Sequence, residues 1–267
     1  MRVAVLTDIH ANRLALDAVL EDIARQGGVD EYWVLGDLVA FGATPAAVLE
    51  RISALPNRRH VVGNTDVYVR AGMRPRPSRA EVQADATLLP VFEEVALSIG
   101  WTQGAIMATG WMDFLDALPL EERVTLPDGT RVLCVHAEPG KENGVGLRPG
   151  LDQDDLMQRF AGADADLVLV GHTHWPTNMQ LGRVHAVNPG SVGNPLVPNL
   201  HAAYVMLEAD RAGYTIRHRL VPFDVQAALD QLHAVRFPSP DYPASFLRGD
   251  RIKPWPLPPI DQSTTPI

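Results

Sequence analysis

Apolar run after apolar run in this chain ends in a residue type that binds metal ions, and that recurrence constrains the fold more than any other feature. The segments are Asp8-Ile9-His10, Gly36-Asp37, Gly63-Asn64, Val135-His136, Gly171-His172-Thr173-His174 and Asn188-Pro189-Gly190. A short, continuous, β-branched run bounded by turn residues reads as a strand buried on both faces. In an open α/β sheet, ligands bind in the crevice beyond the carboxyl ends of the strands. Strands that all finish in carboxylate, imidazole or amide therefore bring those groups to one place. A single Asp–His pair is ordinary turn chemistry, whereas six such segments could build a polynuclear metal centre.

The rest of the pattern agrees with this placement. Residues 2–7 read as a first strand, and Leu16, Val19, Leu20 and Ile23 recur at helical spacing until Gly27-Gly28 stops the run. A strand at 31–35, a helix from Pro45 that ends before Pro56 and a strand at 59–62 complete a β-α-β-α-β order. That order predicts a mostly parallel sheet covered by helices. Residues 75–119 differ: Ser78 followed by Glu81 resembles a capping box, and Leu88, Phe92, Val95, Trp111, Phe114, Leu115 and Leu118 predict amphipathic helices, a helical insert or cap. A hairpin at 124–126 and 131–135, then strands at 167–170, 184–187, 202–207 and 215–220, predict a second sheet packed on the first. A last helix is expected over 224–235. Beyond Phe237 prolines crowd into an extended tail, strapped to the surface or loose. The expected organisation is one domain over residues 1–237, with a Pro-rich tail at 238–267.

Composition removes several classes of function. The formal charge of −9 supplies no basic track, which argues against a nucleic-acid or anionic-membrane surface. No apolar stretch reaches the length of a membrane span. The lone Cys134 cannot form an internal disulfide and reads as a buried strand residue, so a reducing compartment, the cytoplasm, is expected. A homo-oligomer is left open.

The motifs resemble the calcineurin-like metallophosphoesterase superfamily, whose signature runs D-x-H, G-D, G-N-H-[DE], H and G-H-x-H. Here they stand as Asp8-Ile9-His10, Gly36-Asp37, Gly63-Asn64-Thr65-Asp66, His136 and Gly171-His172-Thr173-His174. Leu35-Gly36-Asp37-Leu38-Val39, Phe41-Gly42, Trp101-Thr102 and Asn188-Pro189-Gly190-Ser191-Val192-Gly193 are similar to its small bacterial and archaeal phosphodiesterase-like branch. The resemblance implies a four-layer αββα sandwich of two mixed sheets. It also implies two divalent ions per chain, from Mn, Fe, Co, Ni or Zn with Mn favoured; mixed nitrogen and oxygen donors suit these ions better than Ca. Asp8, His10, Asp37 and His174 would hold one ion, and Asp37, Asn64, His136 and His172 the other, with Asp37 bridging. Cations roughly 3.5–4 Å apart need such a shared anionic ligand. The implied activity is hydrolysis of a small phosphate ester, a phosphodiester above all, by in-line attack of a hydroxide between the metals. Asp37, Asn64 and His136 would carry it. A phosphomonoesterase or protein phosphatase, and a metal-bound regulatory protein without turnover, are the competing expectations.

One position departs from the family pattern. The histidine of G-N-H-[DE], often assigned as general acid, is Thr65 here, and a threonine hydroxyl cannot deliver a proton near neutral pH. Esters with acidic leaving groups, such as aryl phosphodiesters, are therefore the expected substrates. Around this core, Asn12 is either a helix N-cap or a phosphate contact, and both roles are compatible. His201 is either a substrate contact or an exposed loop residue. Asp66 either orients Asn64 or stabilises its turn, and Asn188 is expected to fix His174 or its loop. His60, His185, His218 and His233 are expected to be structural.

Overall fold

The computed structural model describes residues 1–73 and 75–261. The first half of the chain lays down β1 (Arg2–Leu6), α1 (Arg13–Arg25), β2 (Glu31–Val34), α2 (Pro45–Ser53), β3 (Arg58–His60) and α3 (Asn64–Ala71). The helical stretch follows as α4 (Arg79–Ala84), α5 (Leu89–Ala108) and α6 (Met112–Asp116). Then come β4 (Glu121–Thr125), β5 (Arg131–Val135), α7 (Gln153–Phe160), β6 (Leu167–Leu169), β7 (Thr177–Leu181), β8 (Val184–Asn188), β9 (Ala202–Asp210) and β10 (Gly213–Val221). The chain closes with α8 (Val225–Ala234) and α9 (Asp241–Leu247).

Two five-stranded sheets result, ordered β10-β9-β1-β2-β3 and β4-β5-β6-β8-β7. β1, β2 and β3 run parallel, as do β5, β6 and β8, and antiparallel strands flank each trio. Side chains alternate across a strand, and here both faces of the central strands are apolar. Val3, Val5, Trp33 and Leu35 of the first sheet meet Val132, Cys134, Leu167 and Leu169 of the second. The intervening Ala4, Leu6 and Val34 face α1, α2 and α5 through Leu16, Val19, Val48, Leu49 and Ile99. On the far side, Leu133, Val135 and Val168 face Leu156 and Phe160 of α7. The layers are thus helix, sheet, sheet, helix, as expected, and Cys134 is buried between the sheets.

Some elements differ from the sequence expectation. β7, α7 and α3 were not anticipated, and the segment beyond residue 238 is not extended throughout. α9 forms within it, and Ala244 packs with Leu232 and Phe237. Its described remainder, to residue 261, is strapped down: Trp175 Nε1 donates to the Pro256 carbonyl (3.0 Å), and Arg219 reaches Asp261 at 2.9 Å; residues 262–267 of the expected tail lie outside the described residues. Arg219 is itself buried against Asp22 of α1 (2.8 Å), which also accepts from Tyr204 (2.7 Å). One ionic cluster therefore joins α1, β9, β10 and the C-terminal strap. Among the described residues, no helix is long and apolar enough to cross a membrane.

Candidate metal centre

β1 and β2 are parallel neighbours, and their backbones stay joined past the last residue of each strand. Asp8 N–H donates to Gly36 (3.1 Å), His10 N–H to Asp37 (2.9 Å) and Ala11 N–H to Leu38 (2.8 Å). The two turns are thereby locked together, and Asp8, His10 and Asp37 lie within one wall. Asp8, His10, Asp37, His172 and His174 all hold positive φ, between +48° and +70°. An L-residue in that region costs about 1–2 kcal/mol, and strain of this kind persists only where the surroundings impose it. The approach between loops is equally demanding at Gly63 and Gly171. A Cβ on Gly63 would overlap the backbone and carboxylate of Asp37, and one on Gly171 would overlap the Thr7 hydroxyl. Glycine in these two motifs is a packing requirement.

The side chains converge on two adjacent spots. Donor atoms of Asp8, His10, Asp37 and His174 all lie within 4.8 Å of one another. His10 Nε2 is 3.0 Å from His174 Nε2, 3.8 Å from Asp8 Oδ1 and 3.6 Å from Asp37 Oδ2. His174 Nε2 is 3.3 Å from Asp8 Oδ1. The other oxygen of Asp37, Oδ1, lies 3.4 Å from His136 Nε2. Asn64 Oδ1 is 3.1 Å from His136 Nε2 and 2.7 Å from His172 Nδ1. Asp37 therefore turns one carboxylate oxygen to each group. All seven residues expected from the sequence as ligands meet here.

Each imidazole is held by its outward nitrogen. Nδ1 of His10, His136 and His174 faces the carbonyls of Ala40 (3.1 Å), Leu35 (2.6 Å) and Asn194 (2.8 Å), and Nε2 of His172 faces that of Gly144 (3.1 Å). A carbonyl only accepts, so each of these nitrogens carries the proton and the inward one presents its lone pair when the ring is neutral. This outer-shell arrangement orients metal-bound histidines. Two further observations fit a cation. Asp8 Oδ1 is buried, and among the described residues the ring nitrogen facing it, His174 Nε2 at 3.3 Å, can donate to it only when that ring is protonated; a buried carboxylate oxygen otherwise left without a donor is costly. His172 Nδ1 and Asn64 Oδ1, both acceptors in this arrangement, approach each other, and a shared positive charge relieves that contact.

The electrostatics point the same way. Burial pushes the Asp37 carboxyl upward, but the charge and hydrogen bond of His136 outweigh it, and the group titrates far below the carboxylate range. Asp8 is likewise lowered, burial being overcome by His174 and His136. Burial lowers His136, yet Asp37 and Asp8 raise it to about 10; His174 is raised against burial by Asp8. His10 is pushed down to about 4, by burial and then by the charge of His174. Two anions and the protonated His136 ring thus share the centre, and that proton occupies the electrostatic role that a cation takes.

The outer candidates resolve differently. Asn12 caps α1 by accepting from Ala15 N–H (3.1 Å), and its amide donates to the Gly193 carbonyl (3.0 Å). Asp66 is buried and accepts from Leu38 N–H (2.8 Å) and Gly63 N–H (3.0 Å), so it ties the G-D turn to the start of α3. Burial and the charge of Asp37 raise it to about 7. Asn188 holds the G-H-x-H turn, donating to the Gly171 carbonyl (2.6 Å) and the Thr173 hydroxyl (2.9 Å). His201 bonds Asn199 (3.1 Å), and no hydrogen bond joins it to the seven converging residues among the described contacts. His185 is engaged by Tyr214 (2.8 Å) and Asn178 (2.7 Å), and His218 by the Asn188 carbonyl (2.9 Å).

Four further neighbours surround these residues: Tyr242 and Phe246 had no signal in the sequence, Phe41 stood there only within the Phe41-Gly42 motif, and Glu138 only as a residue of the loop after His136. Phe41 lies 6.0 Å from the His10 ring and 5.1 Å from Tyr242, and Phe246 lies 5.8 Å from the His174 ring. Glu138 is buried and accepts from Val145 N–H (2.8 Å) and Gly146 N–H (3.3 Å), which fixes the loop carrying Gly144. The aromatic residues come from distant segments, and only the fold unites them.

Comparison with known proteins agrees with the geometry. Residues 1–212 match the family model of the calcineurin-like phosphoesterase superfamily domain. An uncharacterised protein of Methanocaldococcus jannaschii, MJ0912, is 32% identical over 254 residues, covering 88% of this chain and 93% of that protein. The crystal structure of a metallophosphoesterase from Sphaerobacter thermophilus superposes with a TM-score of 0.71 at 24% identity, over 93% of this chain and 98% of the other. The hypothetical protein PH1004 of Pyrococcus horikoshii superposes with a TM-score of 0.76 at 19% identity, over 92% and 97%. These two likenesses establish the fold, and the family match, which spans most of the chain, establishes the lineage. The chain belongs to the calcineurin-like phosphoesterase superfamily.

Proposed function

We propose that the chain is a phosphodiesterase dependent on two divalent metal ions, Mn²⁺ being the favoured pair, with Asp37 shared between them. Asp8, His10, Asp37 and His174 would hold one ion; Asp37, Asn64, His136 and His172 would hold the other. The observation that carries this reading is the division of the Asp37 carboxylate, Oδ2 toward His10 at 3.6 Å and Oδ1 toward His136 at 3.4 Å. When bound, such a pair lowers the pKa of water and neutralises phosphoryl oxygens.

The protein's own residues do the rest. The carbonyl ties keep four imidazoles aimed inward, so a ligand site exists before any ion arrives and little ordering remains to be done on binding. Asn64 borders the cleft and would offer its amide to the phosphate, and Thr65 beside it supplies no acid near neutral pH. A contact from Asn12 would use its second amide hydrogen, since Gly193 takes the first. A contact from His201 would use Nε2, because Nδ1 faces Asn199. With no strong proton donor at position 65, leaving groups that depart as stable anions are favoured, which selects aryl phosphodiesters over alkyl monoesters. The lone cysteine supports the cytoplasm as the compartment.

The test is metal-stripped protein assayed with added Mn²⁺, Ni²⁺ or Mg²⁺ on matched p-nitrophenyl mono- and diesters. The diester is expected to turn over faster, and only with metal. Asp37→Asn tolerates the positive φ at this site but alters the bridging carboxylate. It is expected to lower the rate by at least the 10–100-fold that losing an outer-shell partner costs. Faster monoester turnover would transfer the assignment to a phosphomonoesterase, and silence in every metal would remove enzymatic turnover.

A further inference from the structure

Beside the converging ligands lies a cleft of ≈ 670 Å³, bordered by Asn64, Thr65 and His172 and also by Phe41, Val95 and Tyr242. One part of this lining is polar and lies among the candidate ligands, another is apolar and largely aromatic, and Arg76 and Asn143 also border the cleft. Pockets of a few hundred to a thousand Å³ suit small organic ligands. Thr65 Oγ1 is buried and has no hydrogen-bond partner among the described residues.

Tyr242 comes from α9, outside residues 1–212 that match the family. Its ring is fixed on several sides. Phe41 lies at 5.1 Å and Phe246 at 5.9 Å, and the Arg251 guanidinium lies 4.5 Å from the ring centroid. Burial of Ala244 and Leu247 anchors the helix that carries it. The Arg251 guanidinium lies over one face of the ring, which leaves its other face or its edge for offset stacking or edge contact with another planar ring. An aliphatic group of equal size gains area burial there but no ring–ring term.

We propose that this cleft receives the organic substituent of the phosphoester, that the substituent is a planar aromatic group, and that Tyr242 is the residue that selects it. The assignment rests on the phosphoesterase reading above and deepens it. Its basis is the lining of the cleft and does not depend on the leaving-group argument from Thr65.

Non-hydrolysable phosphonates test it by calorimetry on the Mn²⁺-loaded full chain. Phenylphosphonate and cyclohexylphosphonate have similar bulk, and only the first has a planar π face; methylphosphonate measures the phosphonate alone. The wild-type chain is expected to bind phenylphosphonate about tenfold more tightly than cyclohexylphosphonate. Tyr242→Phe should keep that gap and Tyr242→Leu should erase it, with methylphosphonate affinity unchanged in both. A wild-type protein that binds phenyl and cyclohexyl forms equally, or a gap that survives Tyr242→Leu, overturns the cleft assignment and leaves phosphodiester hydrolysis standing. If no phosphonate binds and no phosphoester is hydrolysed, the parent reading falls and this one falls with it.

Discussion

At the scale of single residues, the site is a set of side chains each constrained from behind. His136 is the clearest case: its Nδ1 is tied to Leu35, its Nε2 faces Asp37, and its pKa is raised to about 10. At pH 7–8 the metal-free protein therefore carries a proton on the nitrogen that the proposed metal ion would occupy. Metal uptake should release protons, and affinity should rise with pH up to about 10 as that competition fades. Calorimetric titration with Mn²⁺ in buffers of different ionisation enthalpy reads the release directly. Buffer-independent heats would contradict the assignment of His136 as a ligand. Asp66 makes a separate prediction. Its two oxygens each accept a backbone N–H, from Leu38 and Gly63, and an amide has only one acceptor atom. Asp66→Asn should cost about 1–3 kcal/mol in urea unfolding of the metal-free protein.

At the scale of elements, the strand ends place the ligands and the loops behind them set their aim. Glu138 holds residues 145 and 146, and the Gly144 carbonyl between them and β5 accepts from His172. Glu138→Ala should loosen that carbonyl and lower Mn²⁺ affinity by about 10–100-fold, with the circular dichroism spectrum unchanged; unchanged affinity would show that the loop does not orient His172. The strand ends that bring the seven residues together were legible in the sequence because a buried strand is a continuous apolar run and its last residue is followed by turn chemistry. α3 was not legible, since it begins at Asn64 and its first residues, Asn64, Thr65 and Asp66, read as a turn. α9 was masked by the surrounding prolines, although Pro243 lies in its first turn, where a missing N–H costs nothing. Tyr242 and Phe246 carry no short-range pattern, and the Phe41-Gly42 motif says nothing of what Phe41 packs against. Their meeting at the cleft is a tertiary fact that periodicity does not encode.

At the scale of the molecule, two sheets are stacked so that the carboxyl ends of their parallel strands supply one centre. The first sheet is fastened to the first helix and the C-terminal strap by Asp22, Tyr204, Arg219 and Asp261. Asp22 is fully buried, and its removal leaves a buried guanidinium with its main partner gone. Asp22→Ala is expected to destabilise by about 3–5 kcal/mol in denaturant unfolding. A second whole-molecule consequence concerns acid. His218 is buried, its Nε2–H donates to the Asn188 carbonyl, and burial lowers it to about 4. An unfolded chain binds that proton near pH 6.5, so the stability linked to this group is complete above about pH 6.5. It is lost as the pH falls toward 4. The fall in unfolding free energy over that window should be shallower in His218→Gln. An equal slope in both proteins would remove His218 as its source.

The central claim is that Asp37 joins two cations, and anomalous scattering from a Mn²⁺-soaked crystal measures that directly. Two peaks about 3.5–4 Å apart, one on each side of the Asp37 carboxylate, are the expected result. A single peak, or peaks that do not flank Asp37, would contradict it.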